Sequence, residues 1–225
     1  MKAIIYVFLN ISLICSATAQ DATSEIQLKT GLKFSYKKPD PFEKGEVTHY
    51  NIELQKKEGG VVSFKMKYKG KNFDKIVTDY VCMIDVTDNA LQNSNLYTGS
   101  FSSAAPSPDY PDLVNELKEE CPEFLFSAKS FSGLTTKNEM TLKTAMIEND
   151  PGVVYQKTEK AALKIKVNGK EKEVKCVVAV HQGSEFSAKL TVWLLDNPSC
   201  PLLLKRTTDF GSMKSVDYEL MEITY

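Results

Sequence analysis

Histidine is nearly absent from this chain, with only 2 in 225 residues. A histidine base or a two-histidine metal helix therefore has little to be built from. Neither His49 nor His181 sits in a G-x-S-x-G or H-E-x-x-H setting. Glycine-rich phosphate loops are missing as well, and the cysteine spacings contain no C-x-x-C pair of the kind zinc sites use. Asp85 and Asp88 lie close together, but without the central Gly and terminal Glu of a calcium loop. No catalytic residue, metal or cofactor is expected. An excess of charge is also lacking. Lys plus Arg is 28, Asp plus Glu is 29 and the net charge is −1. That balance gives no electrostatic case for a nucleic-acid partner or an anionic membrane surface.

Only one long apolar run exists, and it lies at the start. Lys2 is followed by Ala3 to Ile14, broken by Asn10 and Ser12, and then by Ala17-Thr18-Ala19. A basic start, a short apolar stretch and an A-x-A site form the pattern of a secretory signal peptide. The stretch is shorter than the ~20 residues a membrane-crossing helix needs. Residues 1–19 are thus expected to be a leader cleaved near Ala19, and residues 20–225 a single β-rich domain, periplasmic or secreted, with no transmembrane segment. Cys15 raises lipid attachment, although Ile14 stands where a small residue is expected before a lipidated cysteine. The other four cysteines are Cys82, Cys121, Cys176 and Cys200. In an oxidising compartment an even number suits disulfides, with three connectivities open for four cysteines. Buried thiols acting as small apolar side chains are the other reading.

What is abundant is alternation. Leu32, Phe34 and Tyr36 alternate with Lys33, Ser35 and Lys37. Tyr50, Ile52 and Leu54 do the same, and so do Val62, Phe64, Met66 and Tyr68 among lysines. A period of two with one wet face predicts antiparallel strands covered on one side. Asn168-Gly169 predicts a two-residue hairpin turn, which would set Val174 opposite Leu163. Further on, Phe186, Ala188, Leu190, Val192 and Leu194 form an apolar row expected to share the side of Val174, Cys176, Val178 and Val180. Trp193, the only tryptophan, then falls on the opposite side with Leu195. The fold expected is mainly β: an antiparallel curved sheet or unclosed half-barrel. One amphipathic helix interrupts it, predicted from the spacing of Tyr110, Leu113, Val114, Leu117 and Cys121 after Ser107-Pro108. Asn89 to Pro106, polar and rich in small residues, is expected to be a long loop.

The run Val192-Trp193-Leu194-Leu195-Asp196-Asn197-Pro198, leading into Cys200-Pro201-Leu202-Leu203-Leu204-Lys205, resembles the closing strands of an uncharacterised family of secreted bacterial β-rich proteins. It is loosely similar to the periplasmic lipoprotein-carrier (Lol-type) superfamily. Val167-Asn168-Gly169-Lys170 and Leu113 to Lys118 look like further marks of the former group. The carrier resemblance implies an unclosed antiparallel barrel around an apolar cavity, with helices as a lid. This chain departs from it in having one expected helix and four cysteines.

Two functional expectations follow. The first is a non-catalytic exported binding protein that holds a lipid or other apolar ligand, lined by Trp193, Leu195, Leu113, Val114 and Leu117. The second is a secreted interaction or structural module, sandwich-like and without a cavity, whose 89–106 loop meets a protein or glycan partner.

Overall fold

The computed structural model describes residues 21–40, 45–71, 77–98, 114–145, 147–183 and 188–225. The expected leader, including Cys15 and the cleavage site, lies outside the described residues. Four strands open the domain: β1 (Lys33–Pro39), β2 (Val47–Glu58), β3 (Val61–Lys71) and β4 (Val77–Thr87). A helical turn, α1 (Asp88–Asn93), and three short strands follow: β5 (Leu96–Tyr97), β6 (Val114–Leu117) and β7 (Glu120–Cys121). After α2 (Ala128–Thr136) come β8 (Glu139–Thr144), β9 (Val153–Val167), β10 (Lys170–His181), β11 (Lys189–Leu195), β12 (Leu203–Asp209) and β13 (Lys214–Thr224).

All 13 strands join in the order β6-β4-β3-β2-β1-β13-β12-β11-β10-β9-β8-β5-β7. Most neighbours are antiparallel, but β4–β6, β5–β7 and β5–β8 are parallel, so the sheet is mixed. A parallel contact of Glu222 and Ile223 with Lys166 and Val167 brings β13 back to β9, making a partial ring of β9 to β13. Register shifts bend the strands, among them Val178/Ala179, Trp193/Leu194 and Arg206/Thr207. An extra residue at each bulge raises the local twist and re-aims a side chain.

Alternation in the sequence becomes the core. Phe34, Tyr36, Tyr50, Ile52, Leu54, Val62, Phe64 and Met66 are all buried, while their lysine and serine neighbours face outward. The turn at Asn168 (φ 51°) and Gly169 (φ 75°) has positive φ at both positions, as a type I′ turn requires. Val174 pairs with Leu163 as expected.

Three expectations are corrected. The helix over residues 110–121 is not formed where it is described. Val114–Leu117 instead adds a strand beside β4, pairing Met83 with Val114 and Val86 with Leu117. Four residues of mixed apolar spacing fit either period, and the open edge of β4 decides. The helix proper is α2, capped by the Ser127 hydroxyl, which accepts from the Ser130 amide at 3.1 Å, and buried through Phe131 and Leu134. Gly133 of that helix has no room for a side chain, because a Cβ there would lie 2.8 Å from the Glu139 carbonyl oxygen. The expected loop at 89–106 begins as α1, which Thr87 caps by accepting from the Ala90 amide at 3.1 Å, and continues into β5. Residues 99–106 lie outside the described residues. Lastly, Trp193 pairs with Val178 and Leu194 with Val177, so the apolar row of β11 faces the side of Val177 and Ala179. Both faces of β10 are buried from Cys176 to Val180, so hydrophobicity did not fix the register.

The disulfide expectation is corrected too. Cys82, Cys121, Cys176 and Cys200 are all unpaired and buried. Burial raises their thiols, Cys82 and Cys176 to about 11 and Cys121 and Cys200 to about 12. The thiolate is the reactive form, so these cysteines are protected. Iodoacetamide at pH 8 is expected to leave the native chain unmodified by mass spectrometry, and to alkylate all four after unfolding. Rapid labelling of the native chain would overturn this.

The first described residues clamp the partial ring. The Ala22 amide donates to the Glu173 carbonyl at 3.0 Å. Asn197, itself buried, donates to the carbonyls of Thr23 (3.1 Å) and Ile26 (2.7 Å). Asp21 accepts from Thr23 and meets the Lys175 ammonium at 2.7 Å. Chiefly through the Lys175 bond, and then through Thr23, the carboxyl of Asp21 is held well below the usual range. A depressed carboxyl contributes stability above its unfolded pKa, near 3.9, and loses it as pH falls toward its folded value. Melting of the wild type should therefore drop more steeply below about pH 4 than melting of Asp21→Asn. Parallel curves would contradict the assignment.

Candidate functional site

Between β7 and α2 the chain runs through the interior. Residues from Cys121 to Ser127 are all buried. Buried backbone must find partners, and here it does. The Thr98 amide donates to the Cys121 carbonyl (3.2 Å), and the Leu125 amide to the Pro122 carbonyl (3.0 Å). The Phe126 amide donates to the Pro201 carbonyl (3.1 Å), and the Leu203 amide to the Phe124 carbonyl (3.0 Å). Phe124 anchors the segment, its ring 5.5 Å from that of Phe34 and 5.3 Å from that of Phe64.

The Pro122–Leu125 turn points Glu123 at Arg206, the only arginine in the sequence. Its guanidinium Nη1 donates to Glu123 Oε1, and its Nε donates to Asp217 Oδ2 at 2.9 Å. Asp217 reaches this place through the bulge: Arg206 pairs with Tyr218 and Thr207 with Val216, leaving Asp217 as the extra residue of β13. Thr208 (2.6 Å) and Ser215 (3.1 Å) also donate to its carboxylate. Glu123 is less well served. Its side chain is only 7% exposed, and its Oε2 has no hydrogen-bond partner among the described residues.

Glu123 and Arg206 form the polar end of a cavity of about 130 Å³. The rest of the wall is mostly apolar, contributed by Phe126, Leu142, Val153, Leu190, Val192 and Leu203. Tyr97 and Tyr155 complete it. Both phenols are raised well above their usual range by burial, with Cys121 adding to the effect at Tyr97 and Asp217 at Tyr155. Half-buried Lys143 and Thr144 also line the cavity. An apolar cavity of about 150 Å³ holds one benzene ring, so this space suits a ring-sized group rather than a whole lipid. A second, open groove of about 540 Å³ crosses the outer face of β2 to β4. His49, Lys67, Lys69 and Asp79 line it, so it is a solvated surface.

The described residues among those expected to line a site lie apart. Trp193 is half-buried on the outer side of β11, with the Lys205 ammonium 5.8 Å from its ring centroid. Leu195 and Leu117 are fully buried, Leu117 on edge strand β6, far in strand order from β11. Leu113 lies outside the described residues, as does the side chain of Val114. Of the three whose side chains are described, Trp193, Leu195 and Leu117, none lines the cavity. The sequence did carry a signal for it: one carboxylate inside the apolar run Cys121-Pro122-Glu123-Phe124-Leu125-Phe126, and one arginine in a lysine-rich chain.

No family model and no curated protein matches this chain. Among solved structures, it is similar to one described as a "putative lipoprotein" from Parabacteroides distasonis ATCC 8503. The identity is 10%, the coverage 91% of this chain and 100% of that one, and the TM-score 0.33. A likeness at that level transfers neither fold detail nor function. The comparisons do not reproduce the Lol-type resemblance. Among the described residues no helix is long and apolar enough to cross a membrane.

Proposed function

We propose that this chain is an exported, non-catalytic binding protein that holds a ring-sized apolar group in the cavity walled by β8, β9, β11, β12 and the 122–126 turn. One observation carries the reading: a mostly apolar concavity of about 130 Å³ closed at one end by an ion-paired arginine. Binding sites of this kind pair apolar walls with a few placed polar groups that fix orientation. The titratable groups at the polar end are engaged with one another, which suits recognition better than turnover. Neither histidine lines the cavity, and His181 instead contacts the Val154 carbonyl at 3.0 Å.

Indole and toluene test this by thermal melting of the leaderless chain. At ten times its Kd a ligand stabilises by about 1.4 kcal/mol, which for a domain of this size is a rise of roughly 3–6 °C. Leu190→Phe, filling the cavity from its rim, is expected to abolish the rise. Absence of any rise with the wild type overturns the reading.

A second reading, a module that meets another protein, has one specific observation in its favour. Phe210 (59% exposed) and Met213 (50% exposed) crown the β12–β13 hairpin. The strand registers place exposed Val47, Val77 and Val154 at the same end of the sheet. Apolar side chains gathered in this way mark contact surfaces more often than scattered ones do.

A further inference from the structure

We infer that the cavity selects a primary amine, an ammonium head carried on its ring-sized apolar body. The inference rests on the binding reading above and adds the chemistry of the head group. Arg206 is shared by two carboxylates, Glu123 through Nη1 and Asp217 through Nε, so the buried cluster carries one negative charge more than positive. Asp217 is otherwise satisfied by Thr208 and Ser215. The shortfall therefore falls on Glu123, a cavity-lining residue whose buried Oε2 has no partner among the described residues. An unpaired buried acceptor is costly, and an ionised one more so. A donor is what this oxygen lacks, and a cationic donor also restores the charge balance.

Two lysines lie nearby. Lys143 also lines the cavity, but among the described ion pairs it joins neither Glu123 nor Asp217. Lys205, next in sequence to Arg206, lies on the other face of β12, beside Trp193 and Glu219. A ligand carboxylate would meet Glu123 as a like charge. An alcohol would supply a donor without the charge. An ammonium supplies both, with its apolar part against Leu142, Val153, Leu190 and Val192.

The test is isothermal titration of the leaderless chain with three near-isosteric probes: 2-phenylethylamine, 2-phenylethanol and 3-phenylpropionate. The amine is expected to bind about tenfold or more tightly than either of the others, the usual gain for a hydrogen bond to a charged group. Glu123→Gln should remove that preference, bringing the amine to the affinity that 2-phenylethanol has for the same variant. If that variant does not fold, Leu190→Phe, which leaves Glu123 in place, should abolish binding of all three. Equal or tighter binding of the alcohol or the acid overturns the amine inference and leaves the cavity reading standing. So does an amine preference that survives Glu123→Gln. Binding by none of the three overturns the cavity reading itself.

Discussion

Replacing Arg206 with alanine is expected to destabilise the protein by about 3 kcal/mol, although the side chain is not fully buried. The loss comes from what is left behind. Glu123 is 7% exposed and Asp217 17% exposed, and with the guanidinium gone each keeps its charge without its counter-ion. Removing one member of a buried pair is costly for that reason, whatever the pair itself contributes. The lower end of the usual range applies, since the arginine is 27% exposed and water reaches part of it. Arg206→Lys should recover only part of the loss, because a single ammonium cannot reproduce the planar fork that serves Nη1 and Nε at once. Urea unfolding with an unchanged m-value measures both. A loss below about 1 kcal/mol in Arg206→Ala would place the pair among ordinary surface ion pairs.

Phe124→Ala should cost about 3–5 kcal/mol, the range for emptying a buried aromatic site. Its ring packs tilted against Phe34 and edge-on against Phe64, so the cavity would open among buried aromatic rings. The same residue lies next to Glu123, and loosening the turn would release the polar end of the site. A fall in melting temperature of roughly 10 °C or more is expected. Phe210→Ala serves as the control: at 59% exposure it should change stability by no more than about 0.5 kcal/mol. Equal effects at the two positions would contradict the placement of the core.

Much of the sheet was readable because one face is wet. In β1, β2 and β3, lysines and serines mark the solvent side, and Phe34, Ile52 and Phe64 are buried as the alternation requires. The Asn168-Gly169 turn fixed one register by geometry alone. Legibility failed where that contrast disappears. From Cys176 to Val180 both faces of β10 are apolar, so the pairing of Trp193 with Val178 had no pattern to announce it. The helix α2 is written in Ser, Thr and Gly, weak helix formers whose stability comes from a cap and from burying Phe131 and Leu134. The short β6 took its form from the edge of β4 rather than from its own residues.

The candidate site was hidden for a related reason. Glu123 and Arg206 are 83 positions apart, and nothing local in either strand or turn says that they meet. Their meeting depends on the 121–127 segment passing through the interior, which loops seldom do. It also depends on a bulge that turns Asp217 toward the same guanidinium. Trp193, by contrast, was the conspicuous residue, and it sits outside the cavity lining.

The most direct measurement is a methyl NMR titration of leucine- and valine-labelled protein with 2-phenylethylamine. Saturable shifts centred on Leu142, Val153, Leu190, Val192 and Leu203 are expected. A spectrum that stays unchanged, or shifts confined to valines at the hairpin end such as Val47 and Val77, would contradict the cavity as the binding site.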